Sequence, residues 1–176
     1  MEKRGQIWVE TMIYTLIGLT VISAVLGVAI PRINQYTDET ILSKTTEAFL
    51  TLNKAMTETM TEATGNRREV EILIRKGEIF FEPNNNYIYY ILRGTKFRYS
   101  QPDQVIKQGD ITTLTKTNGR AYDIYLLLNY TSQNINMTVQ GKKANQTLSK
   151  ASAPYKLLLQ NEGTLGDFTQ VNIEII

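Results

Sequence analysis

The stretch Thr11–Ile30, TMIYTLIGLTVISAVLGVAI, decides the architecture. None of its residues is charged, and every position is apolar, small or a hydroxyl. A helix rising about 1.5 Å per residue over that length covers roughly 30 Å, the depth of a bilayer's hydrocarbon core. A secretory signal would have a shorter apolar core of about 7–15 residues and then a small-residue cleavage site. Here the run closes on Ile30-Pro31-Arg32 instead. Lys3 and Arg4 precede the run and only Arg32 follows it closely. The positive-inside tendency therefore places the N-terminus in the cytoplasm and the remainder outside.

Just upstream stands Glu10, at the lip of the run, with Ile7, Trp8 and Val9 on its other side. A carboxylate at the edge of hydrocarbon is costly and marks a functional position that needs a partner. The whole start reads Met1-Glu2-Lys3-Arg4-Gly5-Gln6, then Ile7-Trp8-Val9-Glu10. Lys3-Arg4-Gly5-Gln6, a hydrophobic stretch, and Glu10 four residues after Gln6 resemble the class III signal of archaeal type IV pilins. Trp8 stands where that family often has a small hydroxyl residue; its indole suits headgroup level.

The resemblance implies that a prepilin peptidase cuts between Gly5 and Gln6 on the cytoplasmic face and leaves the apolar helix on the mature chain. Lys3 and Arg4 become leader charges, Gln6 the new N-terminus, and Glu10 the assembly carboxylate. In a stack of subunits Glu10 of one copy pairs with the α-amine of Gln6 in a neighbour. Leaving either charge buried and alone is strongly unfavourable, so the pairing selects register more than it adds stability. Thr11 with Thr15, and Ser23 with Gly27, put small residues four apart, a spacing that lets helices approach closely in lipid.

Downstream, Pro31 lacks an N–H and is expected to kink or break the helix. Helical periodicity resumes over Thr40–Ala63, with Leu42, Phe49, Leu52, Met56 and Ala63 on one face and Lys44, Glu47, Lys54 and Glu58 between. Gly65 is the expected stop. From Arg67 the period becomes two. Val70, Ile72 and Ile74 alternate with polar residues, as do Tyr122 to Tyr130, Ile135 to Val139, Tyr155 to Leu159 and Val171 to Ile175. With turn signals such as Asn118-Gly119 between them, about eight half-buried antiparallel strands follow.

The expected fold class is α+β: a long N-terminal helix, transmembrane half then amphipathic half, followed by an antiparallel β-sandwich-like domain. The expected organisation is leader 1–5, assembly helix 6–30, stalk helix 31–65 and an extracellular β-rich domain 66–176.

Composition narrows the function. The chain has 42% apolar and 20% charged residues, which is ordinary for folded protein. Its net charge of +2, from scattered Lys and Arg, gives no nucleic-acid-binding face. With no Cys and no His, thiol chemistry, zinc fingers and His-based acid–base catalysis are excluded. There is no nucleophile elbow, glycine-rich phosphate loop or calcium loop, so neither catalysis nor a metal or cofactor is expected.

Tyrosines gather in the β region, where aromatics suit a pleated surface. Sequons at Asn129, Asn136 and Asn145 mark possible glycan acceptors on the outer side. The expected partners are the prepilin peptidase, membrane lipid, and copies of the chain or related pilins. The expected path is from single-pass membrane precursor to surface filament serving adhesion or attachment. Two other readings stay open: an uncleaved, membrane-anchored binding domain, and a minor pilin or pseudopilin of a secretion or uptake machine.

Overall fold

A computed structural model describes the chain from Glu2 to Ile176, with side chains described from Ile7 onward. Helix α1 spans Glu2–Thr61, and ten strands follow: β1 Arg67–Ile72, β2 Glu78–Glu82, β3 Tyr87–Thr95, β4 Val105–Gln108, β5 Ile111–Asn118, β6 Ala121–Asn129, β7 Ile135–Val139, β8 Gln146–Ser149, β9 Tyr155–Leu165 and β10 Phe168–Ile175. The architecture is therefore α+β. The chain divides into two units between Thr37 and Asp38, and α1 contributes to both.

Pro31 does not break α1; the helix runs through it. Proline removes the one hydrogen bond that the Gly27 carbonyl would accept and crowds that carbonyl. The helical bonds on either side remain, and no further breaker stands near Pro31. The helix also ends short of Gly65. A side chain from β9 settles the end point: Asn161 Nδ2 donates to the carbonyls of Thr59 and Glu62, at 3.0 Å each. Two carbonyls that the last turn leaves without partners are thereby satisfied. Gly65, at φ +90°, then turns the chain and donates its N–H to Asn161 O at 2.7 Å.

In the second unit the strands form two sheets. One has the order β1-β9-β10-β7 and the other β4-β5-β6-β3-β2-β8. All pairings are antiparallel but one: β10 runs parallel to β7. After β7 the chain crosses to the other sheet as β8, then returns through the β9–β10 hairpin. β10 thus lands beside β7 in the same direction, which alternation along the sequence cannot reveal.

The expected inward faces are inward. Val70, Ile72, Ile124, Leu126, Leu128, Ile135, Met137, Val139, Leu157, Leu159, Val171 and Ile173 are buried in one cluster with Leu42, Phe49, Leu52 and Met56 of α1. Ala63 lies outside the helix and is exposed. Asp38, at the start of this unit, is 6% exposed; its carboxylate accepts from Lys76 Nζ and Thr95 Oγ1, both at 2.6 Å.

Candidate functional site

The first unit of the chain has no core of its own. From Ile7 to Ile30 its large apolar side chains are between 48% and 69% exposed, close to the most an isolated helix allows. Burying a side chain of this kind is worth about 1.5–3 kcal/mol. A surface carrying fifteen of them is costly to leave in water. By length and composition this helix can cross a membrane.

Its polar groups are arranged for an apolar medium. Thr11, Thr15 and Thr20 each donate a hydroxyl back to the carbonyl one turn earlier, on Ile7, Thr11 and Leu16, at 2.8–2.9 Å. These three hydroxyls are thereby satisfied within the helix and need no water. A shallow apolar groove runs along this face, bordered by Trp8, Thr11, Thr15, Leu16 and Leu19. Thr11 and Thr15 lie in this groove among larger apolar side chains, whereas Ser23 and Gly27 lie outside it. At Gly18 and Gly27 an added Cβ would meet nothing within 4 Å.

Glu10 is exposed near the start of this segment. One turn later Tyr14 points its hydroxyl at the carboxylate, Oη to Oε1 at 3.4 Å. That is a long contact, weaker than an ordinary O–H···O bond. The carboxylate thus has one weak donor and remains open to a stronger one. Sequence reading picked out Glu10 but not Tyr14; the i, i+4 spacing was the available signal. Lys3, Arg4, Gly5 and Gln6 lie outside the residues whose side chains are described.

The possible glycan acceptors are not brought together. Asn129, at the end of β6, and Asn145, before β8, are exposed. Asn129 Oδ1 accepts from the Thr131 backbone N–H at 2.9 Å and from the Thr131 hydroxyl. Asn136 is half-buried, and its amide nitrogen donates to Gln170 Oε1.

The tyrosines serve the sheets. Tyr90 and Tyr130 are buried, and burial raises both phenols well above their ordinary value. Tyr89 is pushed up to about 12, first by burial and then by its hydrogen bond to Glu82. It stacks on Phe80 across β2 and β3, ring centroids 4.9 Å apart. Among the described residues no three His, Cys, Asp or Glu side chains are grouped to hold a metal ion. No family model, no curated protein and no solved structure matches the chain.

Proposed function

We propose that this protein is a structural subunit of an archaeal type IV pilus-like surface filament, processed by a prepilin peptidase and serving adhesion or attachment. One observation carries the reading most: a bare apolar helix, its threonine hydroxyls internally satisfied, with an incompletely partnered carboxylate, Glu10, at its start. The membrane holds this helix in the precursor. After removal of residues 1–5 the helices of many copies replace the lipid around one another. Glu10 then exchanges its weak contact with Tyr14 for the new α-ammonium of Gln6 in a neighbour, a charge-assisted bond.

The two sheets, with the second half of α1 contributing to the same core, are read as a β-sandwich that faces the medium outside the cell. On that surface Asn129 and Asn145 are exposed acceptors, whereas the Asn136 amide is engaged.

The decisive test is the N-terminal peptide of the native chain in the sheared surface fraction of its host, read by mass spectrometry. A peptide beginning at Gln6 supports the reading. A chain retaining residues 1–5 and confined to membranes overturns it in favour of an anchored domain. Glu10→Gln is expected to insert normally and to lower filament yield; equal yield removes the role given to Glu10.

A further inference from the structure

The six-stranded sheet ends in two edge strands, β4 and β8, each four residues long; on β8 the Ser149 carbonyl accepts from the Tyr155 hydroxyl at 3.0 Å. All four residues of β4 are exposed, including Val105 at 58% and Ile106 at 40%. An open edge with apolar side chains is a template for another strand. The two edges also differ in charge. Asp103 and Asp110 bracket β4, whereas Lys143 and Lys150 bracket β8. All four are exposed, and none forms an ion pair among the described residues.

We propose that the occupant of each edge is a second copy of this chain, β4 of one copy adding to β8 of the next. Strands alternate in direction across the sheet, so a copy shifted along it presents β4 antiparallel to β8. In that arrangement Asp103 lies one residue from the position opposite Lys150, and Asp110 one residue from that opposite Lys143, so unlike charges fall together at both ends. Pairing Val105 with Ser149 puts Ile106 opposite Leu148 and Lys107 opposite Thr147. Ile106 shares the inward face with its partner Thr113, and Leu148 is itself buried. No like charges face each other. Joining unlike edges is a heterologous contact, which propagates without closing and suits a filament rather than a dimer. The proposal rests on the assembly reading for the presence of neighbouring copies and adds where their outer domains touch.

The test is a zero-length carbodiimide, which joins a carboxylate to a lysine amine as an amide with loss of water. It is applied to the full chain in host membranes and in sheared filaments. Within one copy the two edges are five strand spacings apart, about 24 Å. Any Asp103–Lys150 or Asp110–Lys143 link therefore joins two copies. The expected result is a ladder of dimers, trimers and longer species, with those linked peptides found by mass spectrometry. Lys143→Glu with Lys150→Glu should lower the ladder about tenfold or more, because the linking amines are gone and like charges then oppose. Adding Asp103→Lys and Asp110→Lys should restore it, with amine and carboxylate exchanged between edges.

Asp110 also accepts from Asn53 Nδ2 at 2.7 Å, so Asp103→Lys with Lys150→Glu is the pair that leaves that contact intact. Absence of both links, or a ladder unchanged by the lysine reversals, overturns the edge contact. Filament yield is scored separately. Filaments without the links remove the edge contact and leave the assembly reading standing. Links in membranes without filaments do the reverse.

Discussion

Asn161 offers the most direct test of how α1 is held to the β domain. The side chain is 3% exposed. It makes three hydrogen bonds: Nδ2 donates to Thr59 O and Glu62 O, both at 3.0 Å, and Oδ1 accepts from Gly163 N at 2.8 Å. At about 1 kcal/mol net for each bond, Asn161→Ala loses about 3 kcal/mol. The partners left behind raise that figure, since the contacts to Thr59 O and Gly163 N are buried and water does not readily replace the lost amide. The expected loss is therefore about 3–4 kcal/mol.

Asn161→Asp separates capping from packing. It keeps the size and the acceptor for Gly163, but sets a carboxylate against two carbonyls at the negative end of a helix. It should be at least as destabilising as Asn161→Ala near pH 7. Part of the loss should return as pH falls, beginning above the ordinary carboxylate value of about 4 and complete near it, because burial against two carbonyls raises the folded-state pKa and a protonated carboxyl can donate to one carbonyl. The assay is urea unfolding of the full chain in non-ionic detergent, followed by tyrosine near-UV circular dichroism. Trp8, the single tryptophan, lies in the apolar segment and does not report on the β domain. A loss below about 1 kcal/mol for Asn161→Ala, or an Asn161→Asp chain as stable as wild type at pH 7, would refute this account of the helix end.

Three other perturbations follow from the same packing. Asp38→Ala removes a buried acceptor from Lys76 and Thr95 and should cost about 2–3 kcal/mol in the same assay, less than a fully buried pair because Lys76 is 43% exposed and can rehydrate. Gly77→Ala should cost more than about 2 kcal/mol: the backbone is at φ +81°, and an added Cβ would lie 2.7 Å from the Tyr90 ring. Tyr90 and Tyr130, raised by burial, keep their protons in the folded state above pH ~10, where the unfolded chain loses them, so stability should fall by roughly 1.4 kcal/mol per pH unit for each. With Tyr89 also raised, Tyr130→Phe should remove about a third of the total slope while costing less than about 1 kcal/mol at pH 7, because the Tyr130 hydroxyl has no partner among the described residues; an unchanged slope in unfolding measured from pH 9 to 11 would contradict the assignment.

The parts of the fold legible in the sequence are those where burial and polarity coincide. In β6 and β7 each inward position is Ile, Leu, Met or Val, and the period of two stands out. It disappears in β5, whose inward positions are Ile111, Thr113 and Thr115. Thr115 is buried because Ser100 Oγ donates to its hydroxyl at 2.7 Å, so a core position looks like a solvent position. β3 fails for the opposite reason: YIYYILRGT is apolar or aromatic on both faces. In β4 no residue is buried, and in β8 only Leu148 is, so neither edge strand alternates. Nor could the end of α1 be placed. The residue that caps it stands about a hundred positions away in β9.

The apolar helix shows the same logic from the other side. Its length and apolarity are legible because nothing in this chain has to fold around it: the membrane-length run, the small-residue spacing and Glu10 are local facts. The outer domain differs. Its two sheet edges carry opposite charges, but Asp103 and Asp110 are separated from Lys143 and Lys150 by at least three strands' worth of chain, in a stretch with both signs throughout. Only the strand order makes them the two ends of one sheet. A chain that hides its apolar helix among copies and leaves unlike edges open would gain register from both. On the proposed assembly, Glu10 would be selective within the helical bundle, where an unpaired charge is expensive. The edge charges act in water, where pairing contributes little and chiefly orders the approach. The two contacts should therefore respond differently to salt: raising ionic strength should loosen the edge links first and leave the Glu10-dependent bundle intact, because screening reaches exposed pairs and not buried ones.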